Sequence, residues 1–203
     1  MILYTLDEER NPFPNIFKNI IRVKNIADIK SDGVLILWGG ADIYPGMYNE
    51  KPNRFVYTYR KTDRDIHEEM AIHHCIKKNI KMIGICRGAQ LMCVVAGGTL
   101  MQHIEDHSTQ HEVTLLDEDK VVIKCNSSHH QMQIPPNGAK ILAVAGKTYG
   151  VNGDNNAVSI KTVPEVVWYP NIGALGIQPH PEWANSPKLF NNYCERKIKE
   201  YVL

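Results

Sequence analysis

The chain has no stretch approaching the ~20 consecutive apolar residues needed to cross a bilayer as a helix, so no membrane span is expected. Its first residues, MILYTLDEERNPFP, lack a basic leading segment and a long apolar core, which argues against a secretory signal peptide. Charge of one sign is missing too: 23 Lys and Arg stand against 22 Asp and Glu, for a net charge of +1. A chain so balanced has no general attraction for nucleic acid or an anionic membrane surface, and neither is expected as a partner. Cysteine is sparse and unpatterned. Five residues, an odd number, include no Cys-x-x-Cys pair, which excludes the usual disulfide framework and thiolate zinc site. A reducing cytoplasm is the expected compartment. Neither a repeat nor a low-complexity linker interrupts the 203 residues, so 1–203 reads as a single domain able to bury a sizeable core.

Against that plain background one stretch stands out, Lys81–Gly98, KMIGICRGAQLMCVVAGG. Met82–Ile85 is a short apolar run of the kind that forms a buried parallel strand. Ala89, Leu91, Met92, Val94, Val95 and Ala96 follow as a helix apolar enough to pack on a sheet, stopped by Gly97-Gly98. Cys86 sits at the junction with Gly84 and Gly88 two residues to either side. Gly-x-Cys-x-Gly at a strand-to-helix turn is the pattern of a nucleophile elbow, where the chain approaches itself too closely for larger neighbours. The helix N-terminus is expected to favour the thiolate form of such a cysteine. Cys86 is therefore read as a nucleophile, and Cys75, Cys93, Cys125 and Cys194 as buried structural thiols.

The rest of the chain supplies a frame for this element. Ile2–Leu6 reads as a first strand, followed by a polar loop over Asp7–Pro14 and a short helix running into a strand over Asn15–Val23. Val34–Leu37 is a second buried parallel strand, and it ends in Trp38-Gly39-Gly40. A glycine pair at the carboxyl end of a parallel strand leaves backbone N–H groups open to a ligand, making a candidate oxyanion hole. Thr62 or Asp63 caps a helix with Ile66, Met70 and Ile76 on its apolar stripe. Thr99–His111 reads as a loop, Val113–Leu116 and Val121–Cys125 as an antiparallel pair, and Ala139–Ala145, Ala157–Ile160, Val166–Tyr169 and Ala174–Gln178 as further strands. Pro187–Val202 is an amphipathic helix. Helices alternating with parallel-type strands, then crowded short strands, predict a three-layer α/β/α sandwich with a mostly parallel central sheet and a small antiparallel extension.

A cysteine nucleophile needs a histidine to move its proton, and the histidine needs a carboxylate on its other nitrogen. His180 and Glu182 follow the Ala174–Gln178 strand, and two residues apart on an extended chain they would share one side. His103, His107 and His111 recur at intervals of four, as metal ligands on a helix would. They fall in a loop entering a strand with no carboxylate pattern beside them, so no metal site and no cofactor are expected.

Taken together, the motifs resemble the class I glutamine amidotransferase-like superfamily, with its flavodoxin-like sheet, and more narrowly its γ-glutamyl hydrolase group. The resemblance rests on Gly39-Gly40-x-Asp42 followed by Pro45-x-x-Tyr48-x-Glu50, Arg64-Asp65, Cys86-Arg87-Gly88-x-Gln90, His111-x-Val113, Asn126-Ser127-x-His129-x-Gln131 and His180-Pro181-Glu182-Trp183. It implies that Cys86 attacks the γ-carbonyl of a γ-glutamyl amide to give a thioester, with backbone N–H groups of Gly40 and Arg87 holding the oxyanion. His180 would protonate the departing amine and then activate water, oriented by Glu182. Gly39, Gln90 and the Asn126, Ser127, Ser128 and His129 segment would line the glutamyl site. Two departures bear on substrate: Pro179 stands where an aromatic residue usually precedes the histidine, and Asn156 replaces the carboxylate of a Gly-x-x-Glu-Ala turn. The chain is also short before Val34, implying a missing or reduced strand–helix unit. The implied function is hydrolysis of a small γ-glutamyl substrate. The alternatives are a glutaminase subunit feeding a separate synthetase partner and a non-catalytic binding protein on the same scaffold. A homodimer is the remaining association left open.

Overall fold

A run that is apolar at every position has no solvent face and must be covered on both sides. Val34–Leu37 and Met82–Ile85 are such runs. In the computed structural model, which describes residues 1–7 and 11–203, they lie side by side and parallel near the middle of a nine-stranded sheet. In chain order the strands are β1 (Ile2–Thr5), β2 (Asn19–Arg22), β3 (Gly33–Leu37), β4 (Met82–Ile85), β5 (Thr99–Met101), β6 (His103–Ile104) and β7 (His111–Leu115). They continue as β8 (Val122–Cys125), β9 (Met132–Ile134), β10 (Lys140–Ala145), β11 (Thr148–Val151), β12 (Ala157–Ile160), β13 (Val163–Tyr169) and β14 (Ala174–Ile177). The helices are α1 (Asp63–Lys78), α2 (Arg87–Val95) and α3 (Lys188–Tyr201).

The large sheet runs β2-β1-β3-β4-β14-β13-β10-β7-β8. From β2 through β14 neighbours are parallel, and from β14 through β8 they are antiparallel. Successive side chains on a strand point to opposite faces, and here each face has its own helices. Ile36, Ile83, Ile85 and Ile177 pack with Phe190, Tyr193 and Ile198 of α3. Leu35, Leu37 and Met82 pack with Ile72 and Cys75 of α1 and with Leu91 and Met92 of α2. The result is the expected three-layer sandwich. None of its helices is long and apolar enough to cross a membrane, among the described residues.

The local expectations fare unevenly. Thr62 caps α1, and Asp65 completes a reciprocal capping box with it. Asn15–Val23 holds no helix. Phe13 and Phe17 are both fully buried and draw the segment onto the sheet as one tight turn, closed by the Phe17 N–H on the Phe13 carbonyl at 3.0 Å, before β2 begins. Between β2 and β3 the connection is a single 3-10 turn, Ile26–Asp28. The unit before Val34 thus keeps its strands without an α-helix among the described residues. Of the loop read over Asp7–Pro14, Glu8, Glu9 and Arg10 lie outside the described residues. Thr99–His111 is more ordered than a loop, since β5 pairs with β9 and β6 with β11. Strands of two or three residues are too short to show a period in the sequence.

Candidate active site

The carboxyl ends of β3, β4 and β14 open on the same edge of the sheet, the place where open α/β sheets hold ligands. Register decides what meets there. Leu37 pairs with Gly84 and Gly84 with Gly176, so the residues just beyond emerge together: Trp38–Gly40, Cys86 and the Gln178–Glu182 segment. Cys86 takes φ 50 and ψ −108, a left-handed conformation that strains a residue with a side chain. A Cβ at Gly84 would lie 2.5 Å from the Gly88 carbonyl carbon, which explains the glycine on that side. All five cysteines are free. Burial pushes the Cys75 and Cys93 thiols up to about 12 and those of Cys125 and Cys194 higher, so these four are inert.

His180 Nδ1 lies 2.7 Å from Glu182 Oε1. The pair meets in a turn, closed by the Trp183 N–H on the His180 carbonyl at 3.3 Å, rather than along an extended strand. Burial opposes charge on the ring. The hydrogen bonds of Cys86 and Glu182 outweigh it and raise the His180 pKa to about 9. The indole of Trp183 stacks on the imidazole at 4.1 Å and 9°, so an aromatic ring supports the histidine although Pro179 precedes it. Gly39 fits between the partners: a Cβ there would sit 2.9 Å from His180 Cε1 and 3.4 Å from the Cys86 Cβ.

Gly40 follows on the exposed side, and Arg87 is the first residue of α2, where the N–H has no partner within the helix. The Gly39 carbonyl accepts from Arg64 Nη2 at 3.1 Å. In a trans peptide C=O and N–H point opposite ways, so this bond turns the Gly40 N–H away from Arg64. Arg64 Nε donates to Glu68 Oε1 at 2.8 Å, and the buried Arg87 guanidinium pairs with both Asp65 and Glu68. Arg64 and Asp65 are conspicuous in the sequence. The network they form, and Glu68 within it, follows from placing α1 across the ends of β3 and α2.

Of the remaining site candidates, Gln90 is buried with its amide nitrogen on Gln178 Oε1 at 3.3 Å. Asn126 and Ser127 are buried, and Asn126 Nδ2 and Ser127 Oγ have no hydrogen-bond partner within the protein. Ser128 is exposed. His129 is buried with Nδ1 at 2.8 Å from the Gln131 carbonyl and Nε2 at 3.5 Å from Glu165 Oε2. Asn156 lies exposed in the hairpin turn between β11 and β12, bonded to Asp154.

The histidine series divides. His103 stacks on Phe55 at 3.9 Å and approaches His130, whereas His107 and His111 turn towards Glu165 on β13. The carboxylate they face is neither Glu105 nor Asp106 of their own segment but Glu165 of β13, correcting the premise on which a metal site was discounted. Glu165 is legible after the fact as the lone charge inside the apolar run Val163–Tyr169.

The Peptidase C26 family matches residues 22–182, and the chain belongs to that family. It is similar to Protein NtpR of Enterococcus hirae, 30% identical over 174 residues that cover 75% of this chain and 67% of that protein. It is also similar to the gamma-glutamyl-gamma-aminobutyrate hydrolase of Escherichia coli, 25% identical over 185 residues covering 77% of this chain and 66% of that one. The chain thus spans about two thirds of the length of these relatives. Among solved structures a glutamine amidotransferase from Thermotoga maritima superposes with a TM-score of 0.56 at 17% identity, covering 98% of this chain and 84% of the other, which shows the fold. The fold is that of class I glutamine amidotransferases, and the chain is an enzyme of the hydrolase and amidotransferase type.

Proposed function

We propose that the protein hydrolyses a γ-glutamyl amide to glutamate and a free amine through a thioester on Cys86. The observation that carries this reading is the placement of His180, with Cys86 on one side and Glu182 on the other, beside a cysteine held at φ 50. The Cys86 sulfur, its proton passed to His180, attacks the γ-carbonyl carbon; the C–S bond forms and the carbonyl electron pair moves onto oxygen. The Gly40 and Arg87 N–H groups receive that oxyanion, and one such donor is worth about 10²–10³ in rate. Collapse of the tetrahedral centre breaks the C–N bond, and the His180 proton goes to the departing nitrogen. Water then attacks the thioester while His180 takes its proton, and breaking C–S returns the thiolate. The buried unpaired atoms of Asn126 and Ser127 are suited to the polar ends of a glutamyl group.

Glutamate release by the purified chain from a panel of γ-glutamyl amines, γ-glutamyl amino acids and glutamine tests this. Turnover should be lost in Cys86→Ala, and unchanged release in that variant would sink the mechanism. If glutamine alone is cleaved, and only when a synthetase is added, the chain is an ammonia-supplying subunit instead.

A further inference from the structure

Away from the nucleophile, three histidines surround one carboxylate. We propose that His107, His111 and Glu165 are the ligands of a buried site for one divalent transition-metal ion of the zinc class, with His129 beside it on the second Glu165 oxygen. The two strands and two loops involved are brought together by backbone pairing. His111 opens β7 and pairs with Cys125 of β8, and the His129 N–H donates to the His107 carbonyl at 3.2 Å. Glu165 reaches them because β13 carries a bulge there: Val166 pairs with Ala143 and Pro164 with Val144, leaving Glu165 as the extra residue.

The tautomers are fixed by geometry. Each Nδ1 lies against a backbone carbonyl, at 2.7 Å from Glu105 for His107, 3.2 Å from Thr109 for His111 and 2.8 Å from Gln131 for His129. A carbonyl only accepts, so each Nδ1 carries its proton and each neutral ring presents a bare Nε2 lone pair. All three Nε2 atoms face Glu165, at 3.7, 3.1 and 3.5 Å from its oxygens. The ligand atoms of His107, His111 and Glu165 lie within 4.8 Å of one another. Ligands about 2.0–2.1 Å from a tetrahedral zinc stand about 3.3 Å apart, close to these separations.

The alternative is an ion pair, in which a protonated His111 donates to Glu165 Oε1. That leaves His107 Nε2, His129 Nε2 and Glu165 Oε2 buried without a partner, acceptors turned towards acceptors. A divalent cation held by His107, His111 and Glu165 satisfies the ligand atoms of all three, and imidazole with carboxylate suits zinc. The ion would clamp the loop that carries His107 to β7 and β13, with His129 held against Glu165 beside it.

The test uses the full chain, stripped with chelator and titrated with Zn²⁺ and with Co²⁺ as spectroscopic probe, in Cys86→Ala so that the nucleophile cannot bind metal. One equivalent per chain, a tetrahedral Co²⁺ visible spectrum and a raised Tm are expected. His107→Gln and His111→Gln should weaken binding by at least the roughly 10–100-fold that loss of an outer partner already costs. Absence of stoichiometric binding in Cys86→Ala overturns the proposal whether or not the histidine variants fold. Binding that survives in a folded His107→Gln, His111→Gln double variant overturns it as well, by placing the metal elsewhere.

Discussion

The single residue with most to reveal is His180. Its ring keeps a proton to about 9 in the folded chain against 6.5 ordinarily, because Cys86 and Glu182 hold the imidazolium more strongly than burial opposes it. A raised pKa means the interaction stabilises the fold in full below about 6.5 and fades as pH climbs through about 9. The acid that delivers a proton to the leaving amine is lost over the same upper range, so turnover should fall on the alkaline side near 9. In Glu182→Gln one of the two supports is gone. The alkaline limb of the rate profile should move to lower pH and kcat should drop; an unmoved limb would mean that Glu182 does not hold the ring. Gly39 gives a second prediction at this scale. A methyl 2.9 Å from His180 Cε1 must displace the ring, so Gly39→Ala should lower kcat while leaving the thermal midpoint within a few degrees, checked by kinetics beside a melting curve.

Elements, rather than residues, set the oxyanion geometry. Helix α1 lies across the ends of β3 and α2 and ties both through Arg64, Asp65, Glu68 and Arg87. Arg64→Ala frees the Gly39 carbonyl and loosens the peptide that presents the Gly40 N–H. Glutamate release should fall by roughly tenfold, part of the about 10²–10³ that a whole donor is worth, with KM little changed. Arg87→Met is a harsher change, because it leaves Asp65 buried without a cation and Glu68 with Arg64 alone, and a loss of about 3–5 kcal/mol in denaturant unfolding is expected. Legibility differs within this assembly. The strand–elbow–helix of Met82–Val95 is local, built from contiguous apolar runs and two glycines, and its sequence announces it. The salt-bridge network joins α1 to residues 19 to 25 positions away, so no spacing rule could pair Arg87 with Glu68 over any other carboxylate.

At the scale of the molecule one sheet is shared by two cores, with α3 on one face and α1 and α2 on the other. Truncating Phe190 within α3 or Ile72 within α1 should therefore lower the same transition. Phe190→Ala is expected to cost about 3–5 kcal/mol and Ile72→Ala about 2–5, with far-UV and near-UV signals coincident in each; separate transitions would show that the faces unfold independently. The same sheet explains which readings the sequence could support. Continuous apolar runs require cover on both faces, so the layered α/β arrangement, the nucleophile at its turn and the His-x-Glu pair all follow from nearby residues. The helix expected over Asn15–Val23 does not form, because two buried phenylalanines favour a turn against the sheet over the local helical pattern. Short strands β5, β6, β9 and β11 are made by their partners rather than by a period of their own. The gathering of His107, His111 and His129 around Glu165 depends on register across β7, β8, β10 and β13 and on one bulged residue. A sequence specifies each of those side chains, but only the folded sheet decides that they share one point, since bringing together residues 36 to 58 positions apart is a property of strand pairing and not of any local pattern.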